Sequence, residues 1–209
     1  GLADILSGLK QRRSQWLAQF PDADVHFAGG LMIEAEMAEI INRDNAILVP
    51  LMLLAGFVIN IVLLRSLAGY LAGLAIILIS VVAAAGASGL LGIDITNVSS
   101  MGFMLVIVLA TADTVHLTAN YIANLRKGMP RFDAARTSLA DNMKSMLLTN
   151  VTTVIGFLSL NTAGSPQLAA MGNIGAMGIV FALVFSWTVF PSVLLAFKVR
   201  VPQQPLLLT

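Results

Sequence analysis

Between Lys144 and Lys198 the chain runs for 53 residues without a charge. Two further uncharged intervals precede it, 20 residues between Asp44 and Arg65 and 28 between Arg65 and Asp94. A hydrocarbon core of ~30 Å is crossed by ~20 apolar helical residues rising ~1.5 Å each. Each shorter interval is therefore one span, and the longest is too long for one. The turn cluster AGSPQ, at 163–167, divides it in two. From Asp94 to Arg126 the one charge is Asp113, which makes another span. The pattern predicts an all-α polytopic membrane helix bundle of five transmembrane helices, near 45–64, 68–92, 97–124, 145–163 and 168–197, with a connector at 126–144 and a tail at 201–209.

Composition agrees: 57% of residues are hydrophobic and 11% charged, where soluble domains carry about a quarter. The net charge of +1 gives no reason to expect a nucleic-acid partner. The absence of cysteine excludes disulfides, a thiol nucleophile and cysteine metal sites. No G-x-x-x-x-G-K-[ST] motif occurs, so no nucleotide or other cofactor is expected, and any energy would come from an ion gradient or another subunit.

Orientation follows from lysine and arginine. Arg65, Arg126, Lys127, Arg131, Arg136, Lys144, Lys198 and Arg200 fall on one side, whereas the opposite loops around Asp94 and Pro166 carry no basic residue. By the positive-inside rule the basic side, with the tail at 201–209, is cytoplasmic and residues 1–44 are extracytoplasmic. That opening segment reads as a helix, a short strand DVHFAG (24–29) and a second helix running towards the membrane. It is a small α/β remnant, too short to bury a core of its own, and suggests a piece of a longer protein.

Asp113 lies 13 residues from Arg126 and 19 from Asp94, or ~20 and ~28 Å along a helix, near mid-membrane. An ionised carboxylate at that depth costs a few kcal/mol on the mildest scale, so it should face the bundle interior, a partner or water, and is a functional candidate by default. Asp113, His116, Asn120 and Asn124 are spaced i, i+3, i+7 and i+11, which places them on one helical face. His116 can relay protons with the acid or simply hydrogen-bond along that face. On the next helix Thr149, Thr152, Gly156, Ser159 and Ala163 form a stripe of small and hydroxylated residues, expected to meet the Asp113 face, with Thr153 beside it. Gly172, Gly175 and Gly178 read as packing positions, and Asn60 as interhelical hydrogen bonding.

ADTVHL, a basic connector with Gly128 and Ala134-Ala135, LLTNVTTVIGFLSL and SPQLAAMGNIGAMGIV follow one another in that order. Together they resemble the membrane half of a resistance-nodulation-division (RND) exporter, of the predicted-exporter or mycobacterial-membrane-protein-large (MMPL) type, related to sterol-sensing and Patched-like domains. The resemblance implies a secondary active transporter rather than an enzyme, in a bacterial cytoplasmic (inner) membrane. It makes Asp113 the proton-relay acid and His116 its companion. Residues 1–44 would then be the end of an extracytoplasmic porter domain. Membrane lipid, a hydrophobic or amphiphilic substrate, and a second membrane half or another protomer would be partners. Leu109 and Thr111 stand where glycines often precede the acid, and Thr114 where a tyrosine often follows it. Thr114, Asn120, Thr149, Thr152, Thr153 and Gly156 are the supporting polar and packing positions.

Two other readings compete. A sterol-sensing-like or accessory domain would bind lipid or a partner without pumping. An intramembrane serine protease would use Ser88 of GASG with His116 as base. Ser88 is six residues from Asp94 and His116 ten from Arg126, so they sit about 9 Å from one end and about 15 Å from the other, at different heights in a ~30 Å core.

Overall fold

The computed structural model of the chain describes residues 8, 11–12, 15–20, 29–63 and 66–197. The chain divides into two compact units, Gly1–Arg43 and Asp44–Thr209. In the first, residues 15–19 are helical and a long helix begins at Gly30. The strand expected from Asp24 lies outside the described residues apart from Gly29, which is a bend, and no strand occurs among the described residues. The expected α/β character of this segment is therefore not seen among the described residues, which are helical apart from Phe20 and Gly29.

The second unit holds the predicted bundle. Its helices are the later part of α1 (Gly30–Val58), extended by a π-helical turn (Ile59–Leu63), then α2 (Leu67–Leu90), α3 (Asn97–Arg126), α4 (Arg131–Ser159) with a 3₁₀ turn (Leu160–Thr162), and α5 (Pro166–Ala196). Among the described residues, five helices are long and apolar enough to cross a membrane. Two boundaries differ from the sequence reading. The span expected to start at 45 belongs to a helix that begins at Gly30, because no glycine or proline interrupts the intervening MIEAEMAEIINRDN. Only the turn at 127–130 separates α3 from α4, since the connector's polar residues also suit a helix leaving the membrane.

Local chemistry sets the ends. Ser66 caps α2 by accepting the Gly69 N–H at 3.0 Å. Thr96 and Ser99 form a reciprocal capping box on α3. Gly128, with φ of 83°, turns the chain before Pro130, and Pro166 opens α5 at its first turn.

In lipid the burial of apolar area does not drive helices together; close packing and hydrogen bonds do. Glycines supply the closeness. Gly102 of α3 lies against the backbone of Met171 and Gly175 on α5, Gly178 receives Val106, and Gly172 receives the Phe157 carbonyl of α4. The expected glycine face of α5 is thus a contact with α3 and α4. One buried cluster includes Ala72, Ile76, Leu117, Tyr121, Phe190 and Leu194, and a second holds Ile77, Val106, Ala110, Ile179 and Ala182. Leu78, Val82, Leu148, Ile155 and Val180 face outwards, where a hydrocarbon solvent would meet them.

Candidate functional site

Asp113 sits in the long uninterrupted helix α3, half-buried, and its neighbour across the seam is Asn150 of α4. The Asn150 amide donates to Asp113 Oδ2 at 3.0 Å and to the Met146 carbonyl of its own helix at 2.8 Å. Asn150 is only 4% exposed, so this is a sheltered bond to a potential charge, of the kind that contributes more than a neutral pair. Two further polar ties follow along the same seam. Ser138 donates to the Leu117 carbonyl at 2.7 Å, and the Asn124 amide approaches the Ala134 carbonyl at 3.5 Å. They fix the register in which α4 presents Asn150 to the acid.

The expected residues distribute unevenly around this pair. His116 is exposed, one turn along α3, and Asn120 is half-buried. Thr114, next to the acid, is buried on another face of α3: its hydroxyl donates to the Ala110 carbonyl at 2.9 Å, and its side chain fills the space left by Gly73 of α2. Thr149 and Thr152 are exposed, Thr153 is half-buried, and Gly156 has nothing within 4 Å of where a Cβ would stand. The hydroxyls of Thr152 and Thr153 donate within α4, to Leu148 and Thr149 carbonyls. The stripe of Thr149, Thr152, Gly156 and Ser159 therefore does not meet the Asp113 face in this chain. The reason is rotational: a step of one residue turns a helix by ~100°, and Asn150, not Thr149, points at α3.

Sequence reasoning missed Asn150 and Ser138. The available signal was the amide itself: in an apolar span a carboxamide needs a partner, whereas a threonine satisfies its hydroxyl on its own backbone. Ser88 is buried and donates to the Ala84 carbonyl at 2.7 Å, and with His116 exposed no nucleophile–base pair is formed.

The fold and this seam define a polytopic helical membrane protein with a half-buried acid where two of its helices meet. The chain matches the MMPL family over residues 3–205 and belongs to that family. A protein of Methanocaldococcus jannaschii, named as a membrane protein, is 29% identical over 174 residues, covering 83% of this chain and 45% of its own length. A second, from Streptomyces coelicolor and likewise named as a membrane protein, is 27% identical over 201 residues, covering 92% of this chain and 28% of its own. The chain thus spans less than half the length of these curated relatives.

Proposed function

We propose that this chain is part of a proton-motive-force-driven RND-type exporter of lipids or other hydrophobic or amphiphilic compounds, with Asp113 as the proton carrier. The observation that supports the reading is the Asn150–Asp113 hydrogen bond at the seam of α3 and α4, on a helix that otherwise holds no acid from Val98 to Lys127. A carboxylate sheltered by one neutral donor is anchored but not neutralised, so gaining a proton changes the charge of the bundle interior by one unit. In the proposed cycle Asp113 takes a proton from the extracytoplasmic side, crosses a helix rearrangement as the neutral acid, and releases the proton to the cytoplasm. His116, exposed on the same helix, would pass protons between water and the acid. Thr149, Thr152 and Thr153 would meet a second membrane half or another protomer rather than α3.

The deciding experiment uses the full-length protein in vesicles with an imposed pH gradient. Asp113→Asn keeps the shape and the hydrogen bond to residue 150 but cannot titrate, so export should stop while insertion and folded yield hold. Full gradient-driven flux in that variant would overturn the reading. Lipid binding that persists unchanged, with no proton-dependent flux in the native protein, would instead favour a sterol-sensing-like domain.

A further inference from the structure

On another side of α3 from the Asn150 contact, α1, α2 and α3 border a partly open niche lined by Gly56, Asn60, Tyr70, Gly73, Thr111 and Thr114, with apolar walls from Leu53, Leu74 and Ile77. Two glycines make it. A Cβ at Gly56 would come within 3.0 Å of the Thr111 methyl, and one at Gly73 within 2.8 Å of Thr114 Oγ1. The space left open to the centre of a water-sized sphere is about 10 Å³, which is room for a single water and nothing larger.

The polar groups at the niche are unbalanced. The Asn60 side-chain nitrogen donates to the Gly56 carbonyl at 2.9 Å, which settles which end of the amide is which. Its Oδ1 is buried and has no hydrogen-bond partner, and Asn60 as a whole is 3% exposed. The Thr111 hydroxyl donates to the Ile107 carbonyl at 2.7 Å and the Thr114 hydroxyl to the Ala110 carbonyl at 2.9 Å. The two hydroxyls have their hydrogens engaged within α3, one of the two Asn60 amide hydrogens is engaged within its own helix, and each of the three side chains keeps an oxygen lone pair. An unsatisfied amide oxygen in an apolar bundle is costly, and such a group is normally matched by ordered water. The backbone leaves its α-helical course here too, because Asn60 lies in the π-helical turn Ile59–Leu63, a feature that recurs at functional positions.

We infer that the niche binds one water molecule, which donates to Asn60 Oδ1 and to a threonine hydroxyl oxygen of α3. Water fits because it brings two hydrogens to a site that supplies lone pairs. A monovalent cation would also seek oxygen lone pairs, but no carboxylate lines the niche, so its charge would enter a low-dielectric space without a counter-charge. The bound water bridges α1 to the turn of α3 that carries Asp113, through Thr114 immediately after the acid. It gives that contact hydrogen bonds that can exchange as the helices move.

Water-edited solid-state NMR of the full-length protein in liposomes tests the site, comparing transfer from water to Gly73 with transfer to Gly175, which is buried against Phe157. Gly73 should receive magnetisation several-fold faster than Gly175. Asn60→Leu and, independently, Thr114→Val should each bring Gly73 down towards Gly175. Equal, slow transfer to both glycines in the native protein would overturn the proposal, and that comparison stands even if neither variant folds. Unchanged fast transfer in a folded Asn60→Leu variant would also overturn it. Replacing sodium with N-methylglucamine should leave the signal as it is; a sodium-dependent change would assign the niche to a cation instead.

Discussion

Arg131 begins α4 and Leu194 lies in the last turn of α5, and the guanidinium of the first donates to the carbonyl of the second at 2.9 Å. The same nitrogen reaches the Leu195 carbonyl at 3.2 Å and the Phe197 carbonyl. The last carbonyls of a helix have no intrahelical donor and carry the negative end of its dipole, so a cation there satisfies both needs. Arg131→Met should lower the stability of the folded protein by about 2 kcal/mol, the scale of hydrogen bonds to a charged group. Arg131→Lys should recover only part of it, because the ammonium ends a shorter stem and reaches these carbonyls less well. Thermal unfolding in detergent is the measurement, and an unchanged transition in Arg131→Met would show that the clasp contributes nothing.

Asn150 should be coupled energetically to Asp113. Asn150→Leu removes the donor and leaves the carboxylate without its one hydrogen-bond partner among the described residues, at a cost of about 1–3 kcal/mol. In a background that already carries Asp113→Leu the same change should cost much less, since no acid remains to be stranded. A double-mutant cycle reads the difference, expected between about 0.5 and 3 kcal/mol for groups in direct contact. Strict additivity would mean that the bond adds no stability.

The glycines of α4 and α5 should respond in opposite ways. A Cβ at Gly172 would run into the Phe157 carbonyl, whereas one at Gly156 meets open space. Gly172→Ala should therefore destabilise by about 1–3 kcal/mol through overpacking. Gly156→Ala should be neutral or stabilising by up to about 1 kcal/mol, because alanine is the better helix former. Comparing the two unfolding temperatures checks the α4–α5 contact directly; equal effects would contradict it.

Topology can be read with reporter fusions. A fusion at Arg131 or after Lys198 should report cytoplasm and one at Pro166 the exterior, given eight basic residues on one side and none in the opposite loops. An exterior signal at Arg131 would reverse the assignment of every span.

The spans were legible because charge is so costly in hydrocarbon that its absence marks length: the turn cluster at Ala163–Gln167 could be placed from residue type alone. Asp113 was legible for the same reason, as the one acid where none is tolerated without a purpose. Its partner was not. Threonines at 149, 152 and 153 and glycine at 156 form a regular stripe, and a regular stripe suggests an interface, but periodicity carries no absolute rotation. Which face of α4 meets α3 is decided by tertiary ties such as Ser138 to Leu117. The glycine positions of α5 were easier, because a row of residues without side chains has little use except close approach. That the second helix of the opening segment and the first span are one helix was hidden by the charges of Glu34, Glu36 and Glu39, which exclude a helix from lipid but not from water.

Asp113 uses its two oxygens differently. Oδ2 accepts from Asn150, and among the described residues no hydrogen bond reaches Oδ1. A proton can therefore arrive on and depart from one edge of the carboxyl while the other stays moored to α4. Charging and discharging the site need not unfasten it. In the proposed role the acid would act as a fixed electrode does, keeping its position while its charge is switched off and on, and any movement of the helices that follows would answer to that field rather than to a broken contact.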